Sequence, residues 1–160
     1  MAELSRKEFV LLLIRTGDRP RFRDLDLSGL DLHGMDLHGA DLSLAELVKA
    51  DLENANLREA CLEKTVLVEA NLQSANLSWS SLVGANLRLA KLAKADLTGA
   101  NLEGVNMAGI NLEGVNLLQA NLRNVDLTNA ILKNAQINMD QIKLVKSIQG
   151  AILPDGTRAE

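Results

Sequence analysis

The residues of this 160-residue chain that could do chemistry beyond packing and charge pairing are few. His33 and His38 lie five residues apart, with Asp31, Asp36 and Asp41 close by. Imidazole and carboxylate together make the donor set of a divalent-metal site. Cys61 is the only cysteine, which excludes a disulfide framework and any zinc site of paired cysteines. No histidine lies beside it to act as a base, so its thiol reads as structural rather than nucleophilic. Carboxylates are abundant, but they recur at a fixed interval instead of converging as a pair. The sequence holds no glycine-rich phosphate loop and no nucleophile elbow. Its three aromatic residues, Phe9, Phe22 and Trp79, are too few for a nucleic-acid stacking surface. Neither catalysis, nor a cofactor, nor direct nucleic-acid binding is expected.

The fixed interval decides the fold. Leucine recurs every five residues from Leu27 to Leu132, and of the 23 such places between 27 and 137 only Met107 and Ile137 are not leucine. Two residues before each lies a small or modest apolar residue, as at Ala40, Ala45, Ala50, Ala70 and Ala75. One residue before is usually Asp or Asn, as at Asp31, Asp36, Asn71, Asn101 and Asn121. The unit is Ala-(Asp/Asn)-Leu-x-x, and it runs without insertion from Leu25 to Met139.

Neither standard element accommodates a period of five. On an α-helix, five residues advance about 500°, so successive leucines step by roughly 140° and cover every face. On a flat strand an odd spacing sends them to opposite faces. The conflict disappears if the chain bends at every unit, so that each forms one side of a coil with its leucine on a common axis. The alanine also points inward near the corner, where little room remains. Asp or Asn between them suits a turn, because its short side chain can bond nearby backbone. The last two positions face solvent and are often glycine, as at Gly29, Gly34, Gly99 and Gly104. His33 and His38 then point outward on adjacent sides, too far apart to share an ion, and both read as solvated surface.

This pattern resembles the pentapeptide repeat family over about three quarters of the chain. The resemblance implies an all-β solenoid, a right-handed quadrilateral β-helix with about 20 residues per coil, here five to six coils. Residues 20 apart would then stack on one side. The ends read as short α-helical caps on the open coils, which would otherwise expose apolar surface and unpaired edges. Residues 1–19 form the first cap. Ser5 and Glu8 make a capping box, and a helix from about Arg6 to Arg15 follows, ending near Gly17. Leu4, Phe9, Leu12 and Leu13 would cover the first coil, with Phe22 in its first central place. A membrane- or partner-binding helix is the other use of such a segment. Residues 20–139 are the β-helix. Residues 140–160 form the second cap, with Ile142, Val145 and Ile148 at helical spacing over 140–148, Gly150 ending that helix, and a turn after it. Similar tails close many cyanobacterial members of the family. The longest apolar run, Phe9 to Ile14, is six residues, far short of the ~20 of a transmembrane helix, and a cytoplasmic protein is expected.

Two surface features remain. Residues 25–139 carry 14 acids and eight bases, a net −6, whereas the 24 residues before them are net +2. Pentapeptide repeat proteins of the quinolone-resistance type resemble B-DNA and bind DNA gyrase, so DNA mimicry is the alternative role. A duplex of ~28 Å would present about 16 charges, well above six. The second feature is a break in the pattern between Leu44 and Leu89. Val48 and Val68 should stack, Val66 takes a place usually held by Asp or Asn, and Leu44, Val83 and Leu89 fall at or beside the neighbouring corner. Drift within a permissive scaffold would explain these residues. The sharper reading is an apolar band for a protein partner or for self-association. Thr65 and Ser80 replace the inward alanine in this stretch, and their hydroxyls are expected to bond turn carbonyls.

Overall fold

A computed structural model describes residues 5–16 and 19–160. The chain winds into a four-sided coil in which most residues before a central leucine pair in parallel with the residue 20 further on, as in Asp26 with Glu46 and Asn101 with Asn121. Residues 20–139, 120 residues at 20 per coil, make six coils. Side 1 carries Phe22, Leu42 and every twentieth residue onward; side 2 starts at Leu27, side 3 at Leu32 and side 4 at Leu37. Each side is so short that it contributes at most a single bridge per coil.

The repeat unit accounts for both the bends and the core. The N–H three residues after each central residue returns to that residue's carbonyl, as from Ala50 to Leu47 at 3.1 Å. Within each such turn the second residue after the leucine has a positive φ, at all 23 corners from Asp24 to Asn134, of which only eight are glycine. This is the type II turn signature. All 16 Asp and Asn residues in the unit's second place accept the N–H two residues on, at 2.9–3.3 Å. Every central residue from Phe22 to Leu132 is buried. Thr65 Oγ1 donates to the Leu42 carbonyl at 2.9 Å and Ser80 Oγ to the Leu77 carbonyl at 2.6 Å, as their inward places predict.

Helix α1, Arg6–Thr16, opens on the Ser5–Glu8 capping box. Phe9 is fully buried against Phe22, ring centroids 4.5 Å apart, with Leu12 and Leu13 packed on the same core. Leu4 and Gly17 lie outside the described residues. The Arg6 guanidinium donates to the carbonyls of Asp31 and His33, groups on the open edge of coil 1 that no earlier coil pairs, and also meets the Asp31 carboxylate.

The C-terminal cap differs from the expected helix over 140–148. Helix α2 spans only Met139–Ile142, capped by Asn138 and Gln141, and Gln141 Nε2 donates to the Leu117 and Ala120 carbonyls. The chain then rejoins the ladder, Ser147 pairing with Asp126 and Ile152 with Ile131, one residue out of the 20-residue register. The reason is the demand of the last coil's edge: Lys146 N–H and Ile152 N–H bond the Val125 and Ala130 carbonyls at 2.8 and 2.9 Å. Gly150, at φ +72°, is a corner of this partial coil rather than a helix stop. An antiparallel bridge of Ile152 with Arg158 closes the end.

Candidate protein-interaction face

Side 2 gathers the core of the apolar band. Val48 of coil 2 and Val66 and Val68 of coil 3 stand half-buried on it, and the Lys49 N–H bonds the Val68 carbonyl at 2.9 Å, which fixes Val48 beneath Val68. Coils stacked at ~4.8 Å make these three valines one contiguous strip. Val66 sits in the ladder between Glu46 and Asn86, where an Asp or Asn would have bonded the turn. Leu44, 38% exposed, lies at the corner leading into side 2 and Leu89, 62% exposed, at the corner leading out of it. Both have positive φ, so the corner projects them from the rod. Val83 is not on this side: it lies round the Gly84 corner on side 1, between Glu63 and Glu103 in its column. Trp79 is further away, at the corner between sides 4 and 1, 52% exposed, its indole covering Gly99 so closely that a Cβ there would meet ring carbon at 2.5 Å.

Above the valine strip the ladder opens. Between the other pairs of coils the N–H groups in this register find carbonyls in the neighbouring coil, apart from Gln119 and Leu122, where α2 intervenes. Between coils 4 and 5, six such bonds are missing on side 2 and the start of side 3. The N–H groups of Gly84, Leu87, Leu89, Leu92, Asn106 and Asn111 have no backbone partner, and the bridges of Asn86 with Asn106 and Lys91 with Asn111 are absent. A cleft of about 380 Å³ lies there, lined by Ala85, Asn86, Arg88, Asn106, Ala108 and Ile110 among others. Ala85 and Ala90 are 7% and 5% exposed, whereas Ala45, Ala50 and Ala70 in the closed coils are fully covered.

The seam falls at a step in corner size. Coil 5 carries Val105, Ile110 and Val115 at three successive inward corners and Met107 at a central place, over a coil 4 whose corners are Ser80, Ala85, Ala90 and Ala95. The seam lies beside Val105, Met107 and Ile110 on the coil 4 face alone. On the other face Asp126 N–H and Ile131 N–H bond the Val105 and Ile110 carbonyls at 3.1 and 3.0 Å, so the step from small to large corners marks the seam without being sufficient for it. Coil 1 also has large corners, Leu25, Leu30 and Met35, yet coil 2, with Ala45, Ala50 and Ala55, closes on it fully: the N–H groups of Glu46, Asp51 and Asn56 bond the Leu25, Leu30 and Met35 carbonyls at 2.8–2.9 Å. The repeat pattern conceals this seam, because valine and isoleucine satisfy the apolar requirement.

The seam's rim is basic. Arg88, Lys91 and Lys94 of coil 4 form no ion pair among the described residues, whereas Lys49 and Glu69 pair at 3.7 Å beneath Leu89. Cys61, half-buried in the second place of a unit on side 1, has no disulfide partner. His33 and His38 stand on sides 3 and 4, as expected, and are not brought together.

The family model for pentapeptide repeats matches eight copies over segments that together run from residue 21 to residue 138. The chain is a pentapeptide repeat protein. Its coil is therefore the right-handed quadrilateral β-helix of that family. Among solved structures, this pentapeptide repeat protein is similar to HetL, a pentapeptide repeat protein involved in heterocyst differentiation regulation from the cyanobacterium Nostoc sp. strain PCC 7120. Identity is 31%, with 88% of this chain and 73% of that one covered and a TM-score of 0.50. It also shares its fold with QnrB1, a plasmid-mediated fluoroquinolone resistance protein, at 14% identity, covering 95% of this chain and 76% of that one, TM-score 0.51. No curated protein sequence matches it. No described helix is long and apolar enough to cross a membrane.

Proposed function

We propose that this pentapeptide repeat protein is a non-catalytic protein-binding scaffold whose working surface is side 2. One observation carries the reading: the strip of Val48, Val66 and Val68 and the seam lie on the same side, separated only by Asn86 and Arg88 of coil 4. The same side thus offers apolar contact and a row of unpaired backbone donors and acceptors. Unpaired strand edges are what proteins normally cover, because they template pairing with another chain. Leu44 and Leu89 frame the strip at its two corners and would seat a partner between them. The arrangement fits a second protein, including a second copy of this chain, better than a small substrate, since no nucleophile or acid–base pair faces the cleft.

DNA mimicry finds less support. The net −6 of the repeat region falls short of a duplex of equal length, and Arg88, Lys91 and Lys94 interrupt it with positive charge. The test is the double substitution Val66→Asp/Val68→Asp. It should leave circular dichroism and the melting temperature unchanged, because both side chains face outward, and should abolish the complex that the wild type forms in light scattering, with itself or with a co-purified protein. A double variant that keeps every wild-type complex overturns the assignment of side 2.

A further inference from the structure

On side 3, at the N-terminal end of the rod and away from the seam, His33 of coil 1 meets Asp51 and Glu53 of coil 2. One ligand atom from each lies within 4.8 Å of the other two. The geometry points to a site for a divalent transition-metal ion, of the zinc type, that clamps coil 1 to coil 2.

Three features of the surroundings support it. First, the carboxylates are held in place. Asn71 Nδ2, from coil 3, donates to Asp51 Oδ1 at 3.1 Å and to Glu53 Oε2 at 3.0 Å, and Asp51 Oδ1 also accepts the Glu53 N–H at 3.1 Å. Each carboxylate keeps its other oxygen without a protein partner, as does the His33 ring. Second, the two acids have no counter-charge. Among the described residues no Lys or Arg lies within ion-pair distance of Asp51 or Glu53, and Arg6, the nearby cation, is committed to Asp31 and to the carbonyls of coil 1. Two adjacent carboxylates repel, and a dication removes that repulsion. Third, the grouping occurs once. Further along the same columns stand Asn71 with Gln73, then Lys91 with Ala93.

The donor set selects the metal class. Two carboxylate oxygens alone suit magnesium or calcium, but an imidazole nitrogen favours zinc or its neighbours, with water completing an open coordination shell. Ligands at ~2.0–2.1 Å from zinc lie roughly 3.3 Å apart in a tetrahedron, so small rotations of the exposed His33 and half-buried Glu53 side chains close the site. Asn71 is the positioning residue, the outer partner that orients both carboxylates. His38 is the built-in control: its Nε2 lies 4.0 Å from a single carboxylate, Glu59, and the neighbouring Asp36 Oδ1 accepts the Asn56 amide at 2.8 Å.

The experiment is calorimetric titration of the full chain with ZnCl2, then with MgCl2. The wild type and His38→Ala should each take up one zinc ion, and zinc should raise the melting temperature of both. His33→Ala and Glu53→Gln should lose the ion, and Asn71→Ala should weaken binding by about tenfold or more. All the substituted groups are at the surface, and unchanged circular dichroism confirms that each variant folds. The inference is overturned if the wild type takes up no zinc, if His33→Ala binds as tightly as wild type, if His38→Ala abolishes uptake, or if magnesium binds as well as zinc.

Discussion

Coils 3 and 5 are built from the same five-residue unit, yet side 2 closes on one and opens on the other. At coil 3 the Leu67 N–H reaches the Asn86 carbonyl at 2.8 Å and the Glu69 N–H reaches Arg88 at 3.0 Å. One coil further on, the equivalent N–H groups of Leu87 and Leu89 reach nothing in the backbone. The central residues Leu67, Leu87 and Met107 are equally buried, and on side 2 the Asx turn forms at Asn86 and Asn106, whereas coil 3 has Val66 in that place. The corner residues differ, Thr65 and Ala70 in coil 3 against Val105 and Ile110 in coil 5, and so do the side's own residues, Val66 and Leu67 against Asn106 and Met107. Local turn chemistry therefore shapes each coil but does not by itself decide whether neighbouring coils meet.

Substitutions that break this comparison fall in order of size. The largest effect is expected from Leu72→Asp in the closed region. A charge with no partner on the axis should cost more than about 4 kcal/mol and collapse the middle coils, read as loss of the circular dichroism signal at ambient temperature. A smaller contrast separates two large-to-small changes. Leu67→Ala, in a coil that cannot relax, should cost about 3 kcal/mol. Ile110→Ala removes a wedge as well as a contact. Recovered ladder bonds, at about 1 kcal/mol each, should offset the cavity and hold the net change within about 1 kcal/mol. Urea midpoints measure both, and an Ile110→Ala loss as large as that of Leu67→Ala would remove corner size as a contributor to the seam. Val66→Asp/Val68→Asp should shift stability by no more than about 0.5 kcal/mol.

Acid should give the smallest effect, in the closed coils and at the two caps, where hydrogen bonds from Ser5 and Thr157 also hold Glu8 and Asp155 below their ordinary pKa. The Ser43 hydroxyl, at 2.5 Å, holds the Asp41 carboxyl below its ordinary pKa, against a smaller opposing push from burial. A depressed folded-state pKa means that this contribution is complete above the ordinary Asp range and is lost as pH falls through the folded value. Ser43→Ala should therefore melt lower than wild type at about pH 6 and converge with it at about pH 2. Across the seam the facing side chains are Asn86 and Asn106, which do not titrate there.

The fold was legible in the sequence because one unit says the same thing 23 times. A central leucine, a small corner and a turn-forming Asp or Asn leave a single geometry that buries every leucine. The ends were legible only in part. Ile142, Val145 and Ile148 match a helix, but the carbonyls of Val125 and Ala130 recruit the chain back into the ladder after one turn, a tertiary demand that local spacing does not carry. The band at Val48, Val66 and Val68 could be assembled because stacking by 20 was applied to it. The same operation on His33 leads to Glu53; comparing His33 with His38, five residues on, hides the cluster. The seam was invisible to pattern reading because Val105 and Ile110 obey the pattern.

The most direct test of the account is amide hydrogen exchange resolved by residue, comparing Leu87 and Leu89 with Leu67 and Glu69 in the native protein. All four amides lie on side 2, in the same places of their units, and differ only in the coil that should receive them. Fast exchange at Leu87 and Leu89 against strong protection at Leu67 and Glu69 is the expected result, with protection restored at the first pair in Ile110→Ala. Equal protection of all four amides in the wild type would mean that the ladder is closed along the whole of side 2, and would contradict the seam on which the proposed binding face depends.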